Sequence, residues 1–282
     1  MNAEERLPLV ANISLLFAEV PYLERFARAA AAGFTAVETW WPWSDPVPPP
    51  GGVDTLVAAL DDAGLRLAGC NLYGGDLPAG ERGIACDPAR TEEFAANLDA
   101  VVGIARRTGC PVFNGLYGQR RPDVPVAEQD ALAVAQLATA ARRLGEVGGT
   151  VLVEALGRGL NGTYPVTNAQ EAVAVVDRVR ETAGADSAGF LFDTFHLTTS
   201  GDDLPQVIAD HVGVIAHVQV ADAPGRAQPG TGMVDVPGVV DALWAAGYRG
   251  AVAAEYSPTV PTEQTFGWLD ETPRLAALTP RA

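Results

Sequence analysis

Short apolar runs rich in branched residues recur eight times along the chain, at residues 9–15, 36–40, 67–72, 112–116, 150–154, 189–193, 214–220 and 251–255. Runs of this length, bounded by Gly, Pro and polar residues, read as buried strands. Between them lie Ala-rich stretches with apolar residues at helical intervals, at 21–32, 53–63, 91–108, 126–147, 167–182, 204–211, 236–246 and 262–269. Gly33, Gly64 and Gly109 stand directly after the first three of these, where a helix stop is expected. The third opens with Glu92 and Glu93 and closes with Arg106 and Arg107, the charge order a helix dipole favours. A helix after every strand predicts parallel strands, because parallel neighbours need a long crossover. Eight such units in 282 residues predict a (β/α)8 TIM barrel in a single domain spanning residues 1–282. No G-x-G-x-x-G follows the first strand, which disfavours a dinucleotide-binding sheet. The Pro/Gly cluster at 46–52 reads as a loop after the second strand, not as a linker.

In such a barrel the chemistry gathers at the C-terminal ends of the strands. The informative residues are therefore polar ones that finish apolar runs. Thr150-Val-Leu-Val-Glu154 and Gly189-Phe-Leu-Phe-Asp193 each end in a carboxylate, and Ala251-Val-Ala-Ala-Glu255 leads to a third. The seventh run carries Gln219 and then Asp222. One such acid alone reads as a cap for the next helix. Three converging on one mouth would repel one another, and burying each costs several kcal/mol unless it is paired or ligated. A divalent cation is the simplest compensation, and oxygen donors suit Mg²⁺ or Mn²⁺. His196, three residues past Asp193, can reach a substrate oxygen or orient a ligand. His217 points to the same face as Gln219, one layer deeper, and reads as a buried hydrogen-bonded residue. His211 reads as helix surface. Asn12, Glu38 and Asn71 punctuate the first three strands and either line the mouth or cap the following helices. Trp40, Trp41 and Trp43 form an apolar wall or a subunit contact, the one sign of a homo-oligomer.

Composition narrows the chemistry. The formal charge is −16, and all 19 basic residues are Arg, with no Lys. Schiff-base, pyridoxal-phosphate and P-loop mechanisms, which need a Lys amine, are excluded. So negative a chain is a poor match for nucleic acid or an anionic membrane surface. Any side chain gripping a substrate carboxylate must then be Arg, with Arg82 and Arg226 in the loops after strands three and seven as candidates. Cys70, Cys86 and Cys110 are too few and too scattered for a disulfide framework. The polar, acidic stretch 1–6 has no basic run before an apolar segment, so a cytoplasmic protein without a leader is expected.

The chain resembles the hydroxypyruvate isomerase family within the xylose-isomerase-like TIM barrels. The resemblance rests on Asn12-Ile-Ser-Leu-Leu-Phe17, Gly33-Phe-Thr-Ala-Val-Glu38, Ala79-Gly-Glu-Arg-Gly-Ile-Ala-Cys86, Phe192-Asp193-Thr-Phe-His196, His217-Val-Gln219-Val-Ala-Asp222, Pro229-Gly-Thr-Gly232 and Ala254-Glu255-Tyr256. It implies that Glu154, Asp193, Gln219 and Glu255 bind the divalent cation. It further implies that Glu154 and Glu255 act as acid and base, and that His196 and Arg226 approach the substrate. The implied reaction interconverts hydroxypyruvate and tartronate semialdehyde through an enediolate. A 2-oxo-tetronate isomerase, a ketose 3-epimerase and an inosose-dehydratase-like lyase are the alternatives on the same barrel. An apurinic endonuclease needs more His ligands and a cationic face. Three departures bear on the substrate: Gly157 where relatives carry Asn, Cys70 before Asn71 where they carry His, and Met233 in place of an acid.

Overall fold

The computed structural model describes residues 6–279. Residues 1–5, most of the acidic stretch that bears on a leader, lie outside the described residues, as do 280–282. Eight strands form the sheet: β1 (Leu9–Asn12), β2 (Ala36–Thr39), β3 (Arg66–Asn71), β4 (Val112–Asn114), β5 (Thr150–Glu154), β6 (Ala188–Asp193), β7 (Ile215–Val220) and β8 (Val252–Ala254). Every neighbouring pair is parallel, and β8 pairs with β1 to close the barrel. The crossovers carry α1 (Glu24–Ala31), α2 (Gly52–Ala63), α3 (Thr91–Thr108), α4 (Val126–Gly145), α5 (Ala169–Ala183), α6 (Thr194–Ser200), α7 (Leu204–His211) and α8 (Val236–Ala245). Gly64 and Gly109 end α2 and α3 in the left-handed region (φ 61° and 67°), which a side chain would strain.

Three differences from the expected pattern appear, and the last two have local causes. The final helical stretch is two 3₁₀ segments, Thr262–Gln264 and Phe266–Glu271. A further short helix, α6, follows β6 directly because Asp193 caps it, accepting from the His196 N–H. The first strand stops at Asn12 and not at residue 15, because the Asn12 side chain takes the Ser14 N–H (3.0 Å) and turns the backbone.

The barrel interior is built by alternation. Inward positions follow one another at a spacing of two. Val10, Ala36, Ala68 and Ala253 pack together on one side, and Val112, Leu152 and Leu191 on the other. Two residues further along the same strands stand Asn12, Glu38, Asn114, Glu154, Asp193 and Glu255, all buried. An apolar plug therefore closes the barrel beneath a polar layer. The large outer core lies between sheet and helices. Among the described residues no helix is long and apolar enough to cross a membrane.

Candidate active site at the C-terminal mouth

The polar layer is floored by one carboxylate and rimmed by three. Glu38 ends β2 on the floor. Its Oε1 accepts from Gln219 Nε2 (2.8 Å) and Asn12 Nδ2 (2.9 Å), and its Oε2 meets His217 Nε2 at 2.5 Å. Burial opposes its ionisation, but His217, Gln219 and Asn12 outweigh burial and hold its pKa below the ordinary value. His217 is thus a buried, hydrogen-bonded barrel residue, as its position predicts.

Above this floor the acids crowd together. Glu154 Oε2 accepts from Asn114 Nδ2 (2.7 Å), and its Oε1 lies 3.7 Å from His196 Nε2. Burial, then the charge of Asp193, push the Glu154 pKa up to about 8. Glu255 Oε1 accepts from Asn12 Nδ2 (2.9 Å) and Trp40 Nε1 (2.7 Å), and Oε2 from Arg226 Nη2 (2.6 Å). Burial raises its pKa well above the usual carboxylate range, and Glu154 and Asp193 reinforce the rise against the opposing charge of Arg226. Arg226 Nη2 also stands 3.8 Å from Asp193 Oδ2, so one guanidinium lies between two of the acids. Burial works against the Arg226 charge, but Glu255, Asp193 and Glu154 hold its pKa above the ordinary value.

The two oxygens of Asp193 have different surroundings. Oδ1 caps α6 through the His196 N–H (2.9 Å), whereas Oδ2 is buried with no hydrogen-bond partner. Gln219 Oε1 is likewise buried without one. Such orphaned acceptors are costly unless something supplies positive charge or a donor. One ligand atom each from Glu154, Asp193 and His196 lie within 4.8 Å of one another, close enough to share a cation. His196 Nδ1 accepts from the Gly157 N–H (2.9 Å), which leaves the ring proton on Nε2, facing Glu154. Burial pushes the His196 pKa down to about 4, so the ring is neutral at pH 7.

A cavity of about 660 Å³ opens over this cluster. Glu154, His196, Arg226 and Glu255 line it, together with Asn71, Arg82 and Trp40, Trp41 and Trp43. The Trp cluster is therefore a wall of the cavity, and Trp40 reaches Glu255 as well. Arg82 differs from Arg226. Its hydrogen bonds all go to neutral oxygens: Asn161 Oδ1 (3.1 Å), Leu77 O (3.0 Å) and Glu81 O (2.6 Å). The fixed guanidinium lines the cavity without a carboxylate partner among the described residues. Sequence reasoning missed Asn114, Asn161 and the Trp40 contact. Asn114 ends β4 two residues after Val112, a signal of the same kind as Glu154. Asn161 lies in an irregular loop and carries no such signal. Gly157 keeps a role through its backbone N–H to His196, and Asn161, four residues on, also lines the cavity. Cys70 is buried beside Glu38, and burial raises its thiol pKa to about 12, leaving it inert. Met233 is 74% exposed and does not line the cavity.

Comparisons with known proteins agree with this architecture. Residues 26–272 match the family described as xylose isomerase-like TIM barrel. A Streptomyces coelicolor protein named "Putative hydroxypyruvate isomerase" is 48% identical over 268 residues, covering 94% of this chain and 96% of that one. A 2-oxo-tetronate isomerase from Pectobacterium atrosepticum is 29% identical, covering 92% and 95%. The crystal structure of an AP endonuclease, family 2, from Brucella melitensis superposes with a TM-score of 0.85 at 31% identity, covering 94% of this chain and 98% of that one.

Proposed function

The chain belongs to the xylose isomerase-like TIM-barrel family, and on that premise we propose that it is a divalent-cation-dependent isomerase interconverting hydroxypyruvate and tartronate semialdehyde, or a closely related small 2-oxo acid. The observation that carries this reading is the pair Glu154 and Glu255, two buried carboxyls lining one cavity, whose proton affinities are both raised. Moving a carbonyl to the neighbouring carbon needs one proton removed beside it and one returned to the adjacent carbon. A carboxyl poised near neutrality does either job. In this reading one glutamate takes the proton, leaving an enediolate, and the other serves the second carbon. His196, neutral with its proton on Nε2, donates to a substrate oxygen.

The donor set fits a cation. Glu154, Asp193, Gln219 and Glu255 would hold it, and the orphaned Asp193 Oδ2 and Gln219 Oε1 are acceptors with nothing else to accept. All four donors are oxygens, which suits Mg²⁺ or Mn²⁺, although Asp193 Oδ2 already has the Arg226 charge 3.8 Å away. Bound there, the cation supplies electrostatic stabilisation of the charge that develops on the substrate oxygens.

Arg82 supports an acid as substrate. A fixed guanidinium with only neutral partners attracts a carboxylate, which a neutral ketose or inosose lacks. A 2-oxo-tetronate satisfies the same chemistry with one more carbon. The −16 charge and the absence of Lys disfavour a nucleic-acid substrate. Solvent-deuterium exchange into hydroxypyruvate and 2-oxo-tetronate tests the reading. The Mn²⁺-loaded protein exchanges the proton beside the carbonyl. Glu154→Gln and Glu255→Gln each slow exchange by about 10³-fold, and Arg82→Gln raises KM about tenfold with little change in kcat. Full exchange with both glutamates replaced contradicts it.

A further inference from the structure

Glu38 takes no part in the steps above, yet it is bonded to three side chains beneath the cavity. It is 3% exposed, and Gly69 makes room for it: a Cβ there would stand 3.3 Å from both Glu38 Cβ and Oε2. Its two oxygens engage three donors, and two of those lead upward to the mouth. The first is the Gln219 amide. A carboxylate oxygen can only accept, so the amide must turn its NH₂ towards Glu38 (2.8 Å) and its oxygen away. That oxygen is the one left buried without a partner. A reversed amide would set two acceptors against each other and aim N–H groups where a cation would sit. The second is Asn12, whose single Nδ2 donates both to Glu38 Oε1 (2.9 Å) and to Glu255 Oε1 (2.9 Å). His217 holds the other Glu38 oxygen, so the hub is fixed on both sides.

We propose that Glu38 is a positioning residue for the cation site, fixing the Gln219 amide with its oxygen towards the metal and steadying Glu255 through Asn12. The proposal rests on the reading of Gln219 and Glu255 as ligands. Partners that orient metal ligands typically contribute about 10- to 100-fold to metal affinity.

The test is Mn²⁺ affinity, titrated by the electron paramagnetic resonance of the free ion, with thermal unfolding followed in parallel. Glu38→Met keeps the length but offers no oxygen, so neither the Gln219 nor the Asn12 amide finds its acceptor. It is expected to raise the Mn²⁺ Kd about 10- to 100-fold in a protein that still unfolds cooperatively. In a Gln219→Ala background the same change is expected to act about threefold at most, because the ligand it orients is gone. Should Glu38→Met fail to fold, Glu38→Asp keeps the charge for His217, withdraws the oxygen from Gln219 by one methylene, and carries the same expectation. An unchanged Kd in the folded variant overturns the proposal, as does an equal effect with and without Gln219. Wild-type protein that binds no Mn²⁺, or binding indifferent to Gln219→Ala and Glu255→Gln together, overturns the ligand reading beneath it.

Discussion

Glu38 and Glu255 sit in the same polar layer, bridged by Asn12, and share almost everything. They are 3% and 2% exposed. Each accepts from three side chains, and one Asn12 nitrogen bonds to both. Their proton affinities nevertheless move in opposite directions, Glu38 below the ordinary value and Glu255 well above it. Burial opposes the charge of both. The difference is company. Glu38 has the floor to itself, with His217 and two amides turned towards it. Glu255 has Arg226 too, but shares the mouth with Glu154 and Asp193. Hydrogen bonds alone therefore do not decide which way a buried carboxyl's proton affinity moves. Like charges left unresolved at a cavity do, and they mark where an added cation lowers the free energy most.

The comparison breaks if the two carboxyls respond alike to neutralisation. Glu38→Gln removes a charge that three donors stabilise and is expected to destabilise the fold by about 2 kcal/mol. Glu255→Gln removes a charge the metal-free fold already disfavours, so stability at pH 8 in chelator should stay within about 1 kcal/mol of wild type, or rise. Urea unfolding of both variants measures this, and equal losses would erase the distinction.

A smaller effect sharpens it. Folded Glu154 keeps its proton up to about pH 8, whereas the unfolded chain releases it near 4.5. The folded state then binds more protons across that window, and stability falls as pH rises. His196 works oppositely, with a folded pKa of about 4 against 6.5, adding stability as pH rises to about 6.5. Between about 6.5 and 8 only the acids remain. The metal-free Tm is expected to fall there by a few degrees, and Mn²⁺ to flatten the slope by favouring the ionised forms. A metal-free Tm that climbs through this range contradicts the raised proton affinity.

Most of the fold is legible because its signal is local. The strand runs and helical intervals place seven of the eight expected helices, and the spacing of two puts Glu154, Asp193 and Gln219 at strand ends facing inward. The Thr194–Ser200 helix is not legible, being short and rich in Thr, and held by a cap whose residue also ends a strand. The roles of Asn12, Asn114 and Trp40 are hidden for a different reason. Each depends on a partner 26 to 243 positions away, and only closure of the barrel brings them together. Asn161 meets Arg82 by loop packing, which leaves no periodic trace.

The most direct measurement is an anomalous difference map from crystals grown with Mn²⁺ and hydroxypyruvate. The account predicts one strong peak within coordination distance of Glu154, Asp193, Gln219 and Glu255, above the Glu38 floor, with the ligand carboxylate towards Arg82. A peak elsewhere, or none at these four residues in metal-saturated crystals, would contradict it.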